Sequence, residues 1–226
     1  MKSQVLHEDN HLIVINKQPS QIVQGDKTGD VPLVDLVKKY LKEKYNKPGE
    51  VFCGVVHRLD RPVSGLVVFA RTSKALARMN DLVKNREISK TYWAVVKNRP
   101  PGFEGHLINY LVKNQQKNKS FVRGENTKGA LRAEMKYRMT AKSNDYLLLE
   151  VDLLTGRHHQ IRVQLANIGC PVKGDLKYGF PRSNPDGSIH LHAREISFIH
   201  PVSKTELTIT APAPPDKLWA FFEQIV

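Results

Sequence analysis

Apolar and polar positions along the chain change period several times, and each change marks an element. The run Leu12 to Ile15 within "HLIVINKQP" predicts a strand closed by a turn. Leu33, Leu36, Val37, Tyr40 and Leu41 then fall at helical spacing, with Asp30 placed as a cap and Pro32 near the first turn. "LVVFA" (66–70) predicts a short buried strand. A second helix follows on Ala75, Leu76, Met79, Leu82 and Val83, capped by Thr72 or Ser73. "KTYWAVV" (90–96) and "GHLINYLV" (105–112) read as strands. The polar, basic stretch 113–129 reads as a loop or hairpin tip. Leu131, Ala133, Met135, Tyr137 and Met139 alternate with polar residues, as in a strand with one solvated face, and 145–154 follows at hairpin distance. Ile161, Leu165 and Ile168 return to helical spacing, with Gly169 as the stop. "HLHAREISFIHP" and "ELTITAP" give the last strands, and a helix bearing Leu218, Trp219, Phe222 and Ile225 closes the chain. Strands at hairpin spacing with singly inserted helices predict an α+β fold with a mixed, largely antiparallel sheet. No linker or repeat interrupts the pattern, so a single domain over 1–226 is expected.

Charge changes this picture more than composition does. The 226 residues carry a net charge of +13. Residues 84–142 hold 14 Lys/Arg against 4 Asp/Glu, so +10 of that excess lies there. Such a field favours a polyanion, most simply nucleic acid. No apolar run approaches the ~20 residues of a membrane span. The opening "MKSQVLHEDN" has no secretory apolar stretch, so the cytoplasm is the expected location. Cys53 and Cys170 are the only cysteines and read as small packed residues rather than a staple. A monomer is expected.

Two stretches are built for chemistry. "HRLDRPVSG" (57–65) sets Asp60 between Arg58 and Arg61 at a turn before an apolar strand. An acid so placed serves as nucleophile, base or stabiliser of a cation, or simply as a structural ion pair. "TGRHHQIR" (155–162) places Gly156 and a helix start beside Arg157 and Arg162, which suit a phosphate or a carboxylate. His57, His158, His159, His190 and His192 raise a metal reading, but no HxxxH or CxxC spacing supports it, and no metal or other cofactor is expected. Tyr92 and Trp93 point to opposite faces of their strand, which lets one pack in the core and the other stack on a base, core packing being the better reading for either one taken singly.

Taken in order, these stretches resemble the RluA-type pseudouridine synthases. "LIVINKQPSQIV" is similar to the family's opening strand and turn, and "HRLDRPVSGLVVFARTSKA" to its catalytic motif. "KTYWAVV" is similar to its tyrosine strand, "LLTGRHHQIRVQLANIGCPVKGDLKYG" to its third motif, and "LHAREISFIHP" to its late strand. The resemblance implies one pseudouridine synthase-type catalytic domain, an isomerase that turns uridine in ribosomal or transfer RNA into pseudouridine. By position it implies Asp60 as the catalytic aspartate. Tyr92 would pack on the uracil and Arg162 would pair with Asp60. It puts Arg58 in the vacancy left by the extruded nucleotide and Ile161 in the pocket wall. His57, Arg61, Arg157 and His159 join the substrate-binding set. Val63 and His158 stand where the family usually has threonine, and threonine or serine, so a packing role is expected for Val63. A separate N-terminal RNA-binding domain is expected to be missing. Two other classes stay open: an RNA-binding protein of this fold without catalysis, and a metal-dependent hydrolase using His57, Asp60 and His159.

Overall fold

A computed structural model describes every residue except Lys27. Among the described residues the elements run β1 (Val5–Glu8), β2 (Leu12–Lys17), α1 (Leu33–Lys44), β3 (Gly54–Val55), β4 (Ser64–Ala70), α2 (Ser73–Asn85), β5 (Ser89–Val96), β6 (Glu104–Asn114), β7 (Lys119–Arg123), β8 (Leu131–Lys142), β9 (Leu147–Leu153), α3 (Gln160–Asn167), β10 (Leu191–Ile199), β11 (Glu206–Thr210) and α4 (Lys217–Ile225). This is the α+β class read from the sequence. The chain forms two compact units, Met1–Ile88 with Arg194–Pro212, and Ser89–Ala193 with Ala213–Val226.

In the first unit β2 and β4 pair antiparallel from Leu12↔Ala70 to Lys17↔Gly65. Both strands are buried along their whole length, which is why they read as continuous apolar runs rather than alternating ones. Ile13, Ile15, Val67 and Phe69 fall on one face by the two-residue period. They pack with Leu33, Val37 and Leu41 of α1 and with Val51 and Cys53. Each such side chain contributes roughly 1.5–3 kcal/mol of burial. β1 flanks β2, β3 pairs with β4, and β10 forms a hairpin with β11.

Two local expectations change here. Asp30 does not cap α1. Pro32 occupies the N-cap in an extended conformation, and the amides of Leu33 and Val34 donate to the carbonyls of Ile22 and Val23 at 2.7 and 3.2 Å. Backbone thus satisfies the first donors and no side-chain oxygen is needed. β4 also starts at Ser64, two residues before the expected 66–70. Thr72 does cap α2, accepting from Ala75 N at 3.1 Å.

In the second unit five strands pair antiparallel in the order β5-β9-β8-β6-β7. The stretch 113–129 is not simply a loop. Lys119–Arg123 pairs with β6 as β7, held because Ser120 is buried and its amide donates to the Tyr178 hydroxyl at 2.9 Å. A side-chain anchor overrides polar composition. Trp219 and Phe222 of α4 pack on Trp93, Val95 and Leu148, which makes Trp93 core. Asp216 caps the helix, its Oδ1 accepting from Leu218 N and Trp219 N.

Trp219 is 2% exposed. Trp219→Ala is expected to lower stability by about 3–5 kcal/mol, read as a shift of the urea midpoint followed by circular dichroism.

Candidate active site

The loop from His57 to Val63 is shaped by its backbone. Lys17, at the end of β2, is completely buried. Its Nζ donates to the carbonyls of Val63 at 2.5 Å, Gln18 at 3.0 Å and Arg61 at 3.1 Å. Three carbonyls match the three N–H bonds of an ammonium. Ser20 N also donates to Arg61 O, Val63 N donates to Asp60 O at 3.1 Å, and His57 Nε2 accepts from Val68 N. The turn carrying Asp60 is therefore tied at both ends. Burial pushes the Lys17 pKa down to about 7, with the Asp60 charge opposing that shift and Arg61 adding to it. Val63 is buried, which agrees with its packing role.

The side chains of this loop face differently. Arg58 is exposed and Asp60 half-buried. Arg61 donates to Thr28 Oγ1 at 2.9 Å and is ion-paired with Asp30. That ion pair is where the Asp30 carboxylate goes instead of capping α1.

The second unit carries Tyr92, Arg157, His159, Ile161 and Arg162. Tyr92 lies on β5 opposite Val151 and is 6% exposed. Helix α3 is not an amphipathic surface helix, since every residue from Gln160 to Leu165 is buried. Its polar residues find partners inside. Gln160 Oε1 accepts from Thr155 Oγ1 and Arg157 N, and its Nε2 donates to Glu134 O. Gln164 Nε2 donates to Asn109 Oδ1 at 2.9 Å. Arg162 forms a fork with Asp175: Nε to Oδ2 at 2.7 Å and Nη2 to Oδ1 at 2.9 Å. Arg157 Nε donates to Arg132 O.

His159 begins α3 in a left-handed conformation (φ 55°). Its pKa is pushed down to about 2, first by burial and then by the charges of Arg162, His158, Lys177 and Lys113. It stays neutral at working pH. The Tyr178 hydroxyl accepts from Ser120 N and lies 2.9 Å from His159 Nδ1. His158 stacks on His159 at 3.7 Å and meets Ser120 Oγ and Asn118 Oδ1. A Cβ added to Gly156 would meet no other atom of the protein within 4 Å. Among the described residues no three His, Cys, Asp or Glu side chains converge as a metal-binding group.

The sequence reading missed Lys17, Asp175 and Tyr178. A lysine closing an apolar run was a signal for the first. A Gly-Asp-x-x-Tyr-Gly turn was a signal for the other two.

The RNA pseudouridylate synthase family pattern matches residues 11–167. An uncharacterised RNA pseudouridine synthase of Synechocystis is 33% identical over 229 residues, covering 98% of this chain and 67% of that protein. One from Chloroflexus aurantiacus is 40% identical, covering 74% of this chain and 52% of its own length. The ribosomal large subunit pseudouridine synthase D of Xylella fastidiosa is 32% identical, covering 94% and 66%. The chain thus spans half to two thirds of the length of these relatives. Among solved structures, human RNA pseudouridylate synthase domain containing 4 shares the fold with a TM-score of 0.81 at 24% identity, covering 98% of this chain and 92% of that one.

Near neutral pH Lys17→Met should destabilise the first unit by roughly 2 kcal/mol, since three carbonyls lose their donor. The difference between wild type and variant should grow with pH. Between about 7 and about 10.4 the unfolded lysine holds a proton that the folded one has released, so wild-type stability rises by up to about 1.4 kcal/mol per pH unit. Urea titrations of both proteins at pH values across that window check the sign.

Proposed function

The chain belongs to the RNA pseudouridylate synthase family, and from that premise we propose that it isomerises uridine in RNA to pseudouridine, with Asp60 acting on the sugar. One observation carries the assignment of Asp60. Its loop is locked through backbone atoms by Lys17 and Ser20, while the side chains of Arg58 and Asp60 keep exposed surface. Rigid backbone under accessible side chains is what a positioned reactive group requires.

The reaction detaches uracil from C1′, turns the ring, and rejoins it through C5. Atoms balance: the C5 proton leaves and N1 gains one. Cleaving the glycosidic bond builds positive charge on the sugar, and a carboxylate stabilises or traps that centre, as in glycoside hydrolysis. No redox partner enters the balance. In this reading Tyr92 supports the uracil and the C5 proton transfer, and Arg162 supplies the positive partner for the Asp60 carboxylate. Ile161 lines the base pocket. His57 ties the loop to β4, and Arg58 fills the stack once the nucleotide is extruded, an event that takes a few kcal/mol. The whole chain acts as one catalytic domain, as a monomer in the cytoplasm.

Grip on RNA is assigned to the basic hairpin of β6 and β7. Lys119 and Arg123 lie over the Phe121 ring at 5.6 and 5.2 Å. Arg132 and Arg138 contribute less, because they are ion-paired with Glu134 and Glu150. The substrate class is ribosomal or transfer RNA.

Asp60→Asn should leave less than about one per cent of the tritium release from C5-tritiated uridine RNA while RNA affinity changes little. Binding without release by the wild type would favour an RNA-binding protein without catalysis. Replacing Lys113, Lys117, Lys119 and Arg123 with alanine should weaken binding and flatten its dependence on salt by roughly 0.7–0.9 for each phosphate no longer neutralised. Filter binding at several salt concentrations reads the slope.

A further inference from the structure

Residues 174–179, Gly-Asp-Leu-Lys-Tyr-Gly, have no part in the chemistry assigned above, yet they are tightly built. Gly174 has φ +87°, and a Cβ there would lie 2.8 Å from Ser188 O, so the backbone admits only glycine. A single 3-10 turn, Leu176–Tyr178, follows and ends at Gly179 with φ +98°. Asp175 O accepts from Tyr178 N at 3.1 Å and Phe180 N at 3.0 Å. Asp175 is 1% exposed and Tyr178 8%. The turn brings both side chains onto one target, the Arg162 guanidinium.

Their contacts are complementary. The Asp175 carboxylate grips Nε and Nη2 in a two-point fork, which fixes rotation within the guanidinium plane. The Tyr178 ring lies 5.1 Å from Arg162 Cζ, which fixes its tilt and stabilises the cation. Tyr178 is itself held by Ser120 N and His159 Nδ1 through its hydroxyl, and Lys119 Nζ lies 4.9 Å from the same ring. An arginine has four rotatable bonds, so a guanidinium held this way has surrendered its freedom before substrate arrives.

We propose that Asp175 and Tyr178 are positioning residues for Arg162, fixing the plane and tilt in which its guanidinium is held before substrate arrives. The proposal rests on the reading of Arg162 as part of the catalytic set. It makes the Gly-Asp-Leu-Lys-Tyr-Gly turn a functional device rather than a connector between α3 and the strands.

A double-mutant cycle tests it, with turnover read by tritium release from C5-tritiated total RNA of cells lacking the protein. Tyr178→Phe keeps the ring and should stay within about threefold of wild-type kcat, whereas Tyr178→Leu should lose about 30-fold in kcat with KM little changed. In an Arg162→Met background, Tyr178→Leu should produce no further loss beyond about twofold. A merely structural role for Tyr178 would lower activity in both backgrounds alike, and that additive result overturns the proposal. Wild-type kcat in Tyr178→Leu, or a loss confined to KM, also overturns it. Should Tyr178→Leu fail to fold by circular dichroism, Asp175→Asn goes through the same cycle under the same criteria. If Arg162→Met alone turns over normally, the catalytic reading of Arg162 is what fails, and the proposal falls with it.

Discussion

Burying an ammonium group demands a set of acceptors that cannot drift, and Lys17 imposes that demand on the loop that carries Asp60. An uncompensated charge in the interior is far more costly than any single hydrogen bond returns. The carbonyls of Gln18, Arg61 and Val63 are therefore obliged to converge on Nζ. Two of them follow Asp60 within three residues, so the turn that carries it has little freedom left. The same group sits near Asp60 closely enough that the carboxylate opposes its loss of charge. Stability and reactivity are linked here: the atom that holds the loop also feels the acid it presents.

The second unit solves a related problem with a fork instead of a cradle. A helix buried on all sides would normally be apolar throughout. Helix α3 carries Gln160, Arg162 and Gln164 in its buried stretch, and Gln160 and Gln164 donate or accept at named backbone and side-chain atoms. Arg162 has its charge balanced by Asp175 within hydrogen-bonding distance. Polar groups retained inside at such density restrict the helix to one register, because any slip would leave several of them unpaired at once.

Periodicity made the main elements legible. The apolar runs of β2 and β4, the stripe of α2 with Thr72 before it, and the alternation of β8 all lie where the pattern put them. What escaped was set by contacts distant in sequence. Lys17 ends an apolar run and so reads as turn, because its acceptors lie up to 46 residues away. β7 reads as loop because its order comes from Tyr178, 58 residues from Ser120. Asp30 reads as a cap because its partner Arg61 belongs to another stretch. The candidate chemistry was legible as motifs, with Asp60, Tyr92 and Arg162 standing out by resemblance. The supporting residues were not, since support is a property of geometry.

The positive excess needs the same distinction. A net charge of +13 suggests one broad field facing a polyanion. Several of those cations face inward or sideways. Lys17 is buried among carbonyls, Arg162 is held by Asp175, Arg71 and Lys44 meet Glu8, and Arg132 and Arg138 meet glutamates. A cation already neutralised by a carboxylate releases few counterions when a phosphate approaches, because that exchange substitutes one anion for another. The sheet hairpin is different. Lys119 and Arg123 lie over Phe121 there, Lys113 and Lys117 belong to the same hairpin, and Glu125 is bonded to Tyr110. Charge counted along a sequence overstates the field an RNA would meet, and the ion pairs of the folded chain say where the remainder is concentrated.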